Sequence, residues 1–242
     1  MNSLISIITV VFNGGQSIER SIQSVLSQRI RNFQYIIIDG GSTDGTVEII
    51  KRYGDEIHVF ISEPDQGIYD AMNKAVDLAN GKYLYFLGAD DFLYDEFVTE
   101  RLEKIASKDA DLILGEVKYI SGSIIKPRFN YTLFLHNSVH HQGTFYSSRC
   151  FKNFRYDISF RLISDYELNL RLFLKRKSLR VIKLNDIIAL CSDNGASRSM
   201  LSVSKEETNR VRAKCLGEMK SNILAILYNV KLKLSYVRHY RI

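Results

Sequence analysis

Proline and tryptophan are almost missing from this chain, which carries two prolines (Pro64 and Pro127) and no tryptophan in 242 residues. With so little proline, long linkers and disordered stretches are not expected. No run of about 18 apolar residues occurs, so no membrane-spanning helix is expected either. The opening MNSLISIITVVFN has no basic stretch or small-residue cleavage site, and Asn13 and Gly14 end its apolar run early. It reads as a buried strand rather than an export signal. Cysteine is scarce: Cys150, Cys191 and Cys215 stand far apart with no CxxC spacing, which suits a reducing cytoplasm better than secretion. The patterns GxGxxG, GxxxxGK[ST] and HExxH are absent, which excludes a dinucleotide fingerprint, a P-loop and a zincin helix.

Most of the chain also lacks net charge. Residues 201–242 hold nine Lys or Arg against three Glu, a net of +6, so the other 24 basic and 24 acidic residues cancel. A neutral body argues against nucleic-acid binding, and the basic tail points to a local anionic partner.

What is present is a strong alternation of elements. Residues 4–12 and 33–38 are near-continuous apolar runs, the mark of central strands covered on both faces. Residues 57–62 and 83–87 read as two more strands. Between them, 17–28, a stretch after Gly45 with Val47, Ile49 and Ile50, and 68–79 show helical spacing. This β-α-β-α-β-α-β order with short connections predicts an α/β fold with a mostly parallel central sheet and right-handed crossovers. After Asp91 the rhythm changes. Helices are expected at 97–105 and 164–174 and strands at 112–119, 123–126, 144–146, 180–184 and 187–190. Residues 132–135 are ambiguous, 193–199 form a polar loop, and 204–220 is helical with a capping box Ser204…Glu207. A mixed apolar and basic helical tail follows.

Chemistry concentrates at the predicted strand ends, where ligands of open parallel sheets bind. Asp90 and Asp91 close the fourth strand, and two adjacent carboxylates there call for a positive partner. A divalent metal carrying a diphosphate suits them, since hard oxygen ligands favour Mg²⁺ or Mn²⁺. The loop DGGSTDG (39–45) can be a plain turn or a nucleotide pocket, with Asp39 accepting from a base or ribose. In the segment 63–73, Asp65 reads as a helix cap, beside Gly67. Tyr69, Asp70 and Asn73 share a face near a helix start that would favour phosphate.

Five stretches in this order carry a resemblance: the first strand end at Phe12-Asn13, DGGSTDGT (39–46), SEPDQGIYDAMNKA (62–75), GKYLYFLGADD (81–91) and SDYELNLRL (164–172). Together they resemble a family 2 glycosyltransferase of the GT-A, Rossmann-like fold, of the bacterial surface-polysaccharide kind. The resemblance implies a single catalytic domain over 1–200, with a nucleotide-sugar half (1–105) and an acceptor half (106–200), and a basic helical segment over 201–242. It implies that Val10, Phe12 and Asp39 hold the nucleoside, with Asp65 and Gly67 beside them, and that Tyr69, Asp70 and Asn73 line the donor-sugar pocket. Asp90 and Asp91 match the acidic pair that faces ribose and metal, although the first acidic position of a strict DxD is Ala89 here. His141, next to Gln142, is expected to meet metal or diphosphate. Arg198, in the polar loop, is a candidate phosphate contact.

Asp165 matches the family's general base, which takes the acceptor proton opposite the leaving group. The same residue also sits in a capping box, Ser164…Glu167, that has a purely structural reading. The implied reaction is inverting and metal-dependent. Its donor would be a nucleoside-diphosphate sugar, UDP ahead of GDP or dTDP, and its acceptor a glycan or polyprenyl-linked glycan. The tail sets Ile223, Leu224, Ile226, Leu227, Val230, Leu234 and Val237 among Lys231, Lys233, Arg238 and Arg241. That mixture suits an anionic membrane surface, so the expected location is cytoplasmic, peripheral on the inner face of the membrane. Two other functions share parts of the pattern. A nucleotidyltransferase needs a basic glycine-rich loop after the first strand, and here no Lys or Arg precedes Arg20. A catalytically inactive sugar-nucleotide-binding scaffold does not need Asp39, Asp90, Asp91 and Asp165 together.

Overall fold

A computed structural model describes residues 3–193 and 200–239. Strands β1 (Ile5–Val11), β2 (Phe33–Asp39), β3 (Val59–Ser62) and β4 (Tyr83–Gly88) run parallel, joined by α1 (Ile18–Leu26), α2 (Thr46–Lys51) and α3 (Ile68–Leu78). Every residue of β2 is buried, because helices cover both faces of the sheet. Side chains alternate across it. Ile8, Ile36 and Phe86 pack with α3 on one face, while Ile7, Tyr35 and Tyr85 pack with α1 on the other. On α1 the buried Ile18, Ile22, Val25 and Leu26 follow helical spacing. Each such side chain stabilises the fold by about 1.5–3 kcal/mol.

The second half adds β5 (Phe92–Leu93), α4 (Val98–Ala106), β6 (Leu112–Tyr119), β7 (Ile124–Ile125), β8 (Thr144–Ser147), α5 (Ser164–Leu174) and β9 (Val181–Cys191). Two helices close the chain, α6 (Leu201–Leu216) and α7 (Glu218–His239). Among the described residues the strands form one sheet in the order β3-β2-β1-β4-β8-β6-β9-β5, with β7 pairing beside β6. β8 lies antiparallel between β4 and β6, so the sheet is mixed but mostly parallel, flanked by helices.

Several local expectations are corrected. The two strands expected at 180–184 and 187–190 are one strand, β9, whose register against β6 shifts between Leu114 and Val117. Gly115 lies under Ile188, where a Cβ would come within 2.3 Å of Ile188 Cγ1. The surplus residues of β9 bulge, and Asp186 pairs with Arg101 at 3.3 Å. The helix expected at 204–220 is two helices that break at Gly217, and it begins at Leu201. Neither capping box forms. Glu207 instead accepts the N–H groups of Arg161 and Leu162, at 2.6 and 3.0 Å. Ser164 Oγ accepts the N–H of Asp157, and Glu167 bridges Arg171 and Lys214.

The tail's charge is also partly internal. Arg212 is only 1% exposed and donates to the Leu135 carbonyl, and Arg210 lies over the Phe160 ring. Lys214 Nζ stands 2.7 Å from Asp157 and 2.9 Å from Glu167. The hydrogen bond from Lys214, outweighing burial and aided by Ser159, lowers the Asp157 carboxyl from 3.8 to about 2. A depressed folded-state value contributes stability that is present above the unfolded value and lost as pH falls through the folded one. Asp157→Asn is therefore expected to cost about 1 kcal/mol at pH 7, once solvent screening is counted, or about 2–4 °C in Tm. Thermal melts across pH should show that deficit closing as pH falls from about 4 toward about 2.

Candidate active site

The carboxyl ends of the four parallel strands are level, with Val11 opposite Asp39, Asp39 opposite Ser62 and Val10 opposite Gly88. The loops that follow therefore converge on one edge. Asp39 is fully buried and organises its own loop. Its carboxylate accepts from Gly41 N (3.1 Å), Ser42 N (3.0 Å), Ser42 Oγ (2.5 Å) and Ser62 Oγ (2.7 Å). Ser42 Oγ in turn receives the Asn13 N–H, and Asn13 Oδ1 accepts from Thr43, which ties the loops after β1 and β2 together. Val10 is half-buried at this edge. Phe12 projects from it, 65% exposed, a bare aromatic face beside the Asp39 loop. Asp65 reaches the same loop: a Cβ on Gly40 would come within 2.5 Å of its Oδ2.

The connection into α3 does not use Asp65 as its cap. Gly67 holds the cap position at φ 115°, a region open to glycine, and Asp65 Oδ1 accepts the Gly67 N–H at 2.8 Å. Asp70 accepts the Gln66 N–H and pairs with Lys74 at 3.5 Å. Asn73 has both ends of its amide on the Tyr156 backbone, at 2.8 Å each, so it clamps the chain that leads into α5. Tyr69 is buried, and its hydroxyl donates to Asp165 Oδ1 at 3.3 Å. Burial, then the charge of Asp165, holds that phenol well above its ordinary pKa, so it remains a donor.

Asp90 and Asp91 follow β4 directly. Asp91 is 4% exposed, and its Oδ2 accepts from Gln142 Nε2 (3.0 Å) and its Oδ1 from the Ser192 N–H (2.9 Å). Burial first, and then the charge of Asp90, pushes its carboxyl above the usual range. The Ser192 N–H, the Gln142 amide and His141 act against that push. Gly88 makes the arrangement possible, since a Cβ there would stand 2.5 Å from Asp91 Oδ2. Among the described residues no three His, Cys, Asp or Glu side chains converge to hold a metal unaided. A buried carboxylate with a like-charged neighbour still fits a hard cation that takes its other ligands from phosphate and water.

Asp165 stands in the first turn of α5, 7% exposed. Its Oδ2 receives Asn137 Nδ2 at 2.8 Å and lies 3.4 Å from His141 Nδ1. His141 and Gln142 are neighbours in one short 3₁₀ turn, His141–Gly143. One touches Asp165 and the other Asp91, and successive Cα atoms are about 3.8 Å apart. The two carboxylates are therefore linked through one turn, and the charge of His141 is felt at Asp91 as well. Asn137, Asn169 and Tyr146, which support Asp165, carry no pattern that a single sequence reveals. Arg198 lies outside the described residues.

The arrangement has relatives. The model of the family described as Glycosyl transferase family 2 matches residues 6–176. The chain is 31% identical over 182 residues to a PGL/p-HBAD biosynthesis glycosyltransferase of Mycobacterium bovis, covering 70% of each chain. Among solved structures, TarS of S. aureus superposes with a TM-score of 0.69 at 16% identity, covering 93% of this chain but 42% of TarS. TarS residues 1–349 have been solved with UDP and with UDP-GlcNAc. The mannosyltransferase PcManGT of Pyrobaculum calidifontis, solved with GDP-Man and Mn²⁺, gives 0.63 at 13% identity, covering 97% of this chain and 76% of that one. At such identities these two likenesses speak for the fold alone.

Proposed function

The chain belongs to glycosyl transferase family 2, and from that footing we propose that it is an inverting, cation-dependent enzyme that moves one sugar from a nucleoside-diphosphate donor to a growing glycan. The observation that carries this reading is the shared turn, in which neighbouring residues Gln142 and His141 touch Asp91 and Asp165 respectively. The half 1–105 receives the donor: the nucleoside lies against Val10, Phe12 and the Asp39 loop, and Asp65 and Gly67 lead toward the sugar. The half 106–200 brings the acceptor to Asp165. UDP is the favoured nucleotide, ahead of GDP or dTDP; the structural neighbours bind both UDP and GDP sugars and support only the donor class.

Asp91, with Asp90 and His141, would hold Mn²⁺ or Mg²⁺. Bound there, the cation supplies positive charge for the diphosphate. The chain's own groups do the rest. The acceptor hydroxyl oxygen forms its bond to the anomeric carbon as the bond from that carbon to the diphosphate oxygen breaks, and the electron pair leaves with the diphosphate. Asp165 takes the hydroxyl proton. A single displacement inverts the anomeric centre.

The tail reads as a lipid-facing element. On α7 Met219, Ile223, Ile226 and Leu227 are exposed, and Lys231, Lys233 and Arg238 follow in the chain. No described helix is long and apolar enough to cross a membrane. Cations near an anionic surface contribute about 1 kcal/mol each. The protein is expected to sediment with vesicles containing phosphatidylglycerol and not with neutral ones, and Ile223→Ser with Ile226→Ser should weaken this about tenfold or more. Protein that stays in the supernatant at low salt would reject the membrane element and leave the catalytic reading standing. That reading is tested by a panel of nucleotide sugars with and without Mn²⁺. One of them should raise Tm only when the cation is present, as ligand linkage requires. A panel with no cation-dependent shift would count against it.

A further inference from the structure

Asp165 is held from two sides, and the side away from Tyr69 is a directed chain of amides. The Val139 carbonyl can only accept, so the amide 3.1 Å from it must be the NH₂ of Asn169. That orientation turns Asn169 Oδ1 toward the Tyr146 hydroxyl, which donates to it at 2.9 Å. The second N–H of Asn169 then meets Asn137 Oδ1 at 3.1 Å. With its oxygen so engaged, Asn137 has its NH₂ left for Asp165 Oδ2, 2.8 Å away. Each amide orientation follows from the one before, and the chain ends on a carboxylate that can only accept. Tyr146, on β8, and Asn169, on α5, are both fully buried, so the chain is anchored in the sheet and the helix.

The two oxygens of Asp165 are consequently unequal. Oδ2 faces both Asn137 and His141, whereas Oδ1 faces the Tyr69 hydroxyl. With a donor fixed on each oxygen, the carboxylate is held in one orientation at the start of α5.

We propose that Asn137 is a positioning residue for sugar transfer: it locks the Asp165 carboxylate in the orientation from which it takes the acceptor proton. This rests on Asp165 acting as the base, and the test separates the two claims. A double-mutant cycle of Asn137→Ala and Asp165→Asn is followed by kcat, the KM for the donor, and Tm. Asn137→Ala should lower kcat by about 10- to 10²-fold, the scale of a misplaced catalytic group, with donor KM within about twofold. In the Asp165→Asn background it should cost less than about twofold more, because residues acting as a unit are not additive. Asn137→Asp keeps the shape but replaces the donor with an acceptor, and should lose kcat at least as strongly as Asn137→Ala.

Additive losses in the cycle, or wild-type kcat in Asn137→Asp, would overturn the positioning role. An Asp165→Asn variant that turns over like the wild type would instead remove the base itself. If Asn137→Ala does not fold, the isosteric Asn137→Asp carries the cycle alone.

Discussion

Asp165→Asn is expected to lower kcat for sugar transfer by about 10³-fold, within the range of general-base catalysis, while the donor's affinity changes less than about twofold. The substitution keeps the side chain's shape: its remaining oxygen can accept from Asn137, and the Tyr69 hydroxyl can turn to accept from the new NH₂. What it removes is the capacity to take a proton. Asp165 has no capping bond to lose, because the cap at Ile163 involves no side-chain hydrogen bond and Ser164 and Glu167 are engaged elsewhere. A structural explanation of the loss would therefore need a fall in Tm, and none larger than about 2–4 °C is expected. Steady-state kinetics beside a thermal melt checks both parts. Activity within tenfold of wild type would exclude Asp165 as the base.

Asp91→Asn should produce the second large effect, a loss of about 10²- to 10³-fold in transfer together with the cation-dependent rise in Tm. Here the direction of the stability change discriminates. Burial and the charge of Asp90 both disfavour the ionised Asp91, so its carboxylate is held in the fold at a cost. A neutral amide relieves that cost and can keep the Ser192 contact through its oxygen. Without ligand, the variant should melt at or above the wild-type temperature. A variant that melts lower yet retains a cation-dependent shift would place the metal and diphosphate elsewhere.

Much of this site stands on elements that the chain announces locally. The strands ending at Val11, Asp39, Ser62 and Gly88 and the helix at Ser164–Leu174 follow from apolar runs and helical spacing, and each differs from its sequence-based bounds by two residues or fewer. Asp39, Asp91 and Asp165 were legible because each sits at the boundary of such an element. What was not legible depends on partners far along the chain. β5, two residues long, exists only because Phe92 and Leu93 pair with Leu190 and Ala189. β8 inserts antiparallel between β4 and β6, which no local pattern announces.

Both predicted capping boxes failed for one reason: Glu167 found Arg171 and Lys214, and the buried Glu207 found the backbone N–H groups of Arg161 and Leu162. A charged or backbone partner in tertiary contact outcompetes a weak local cap. Asn137 gave no signal at all. It lies 28 residues from Asp165 in the chain, in a polar stretch without periodicity.

The most direct measurement is the anomeric configuration of the linkage made by the unaltered protein, using the nucleotide sugar that the thermal-shift panel selects and read from the anomeric proton coupling. One displacement with Asp165 taking the proton predicts the configuration opposite to that of the donor. A product that keeps the donor's configuration would contradict it.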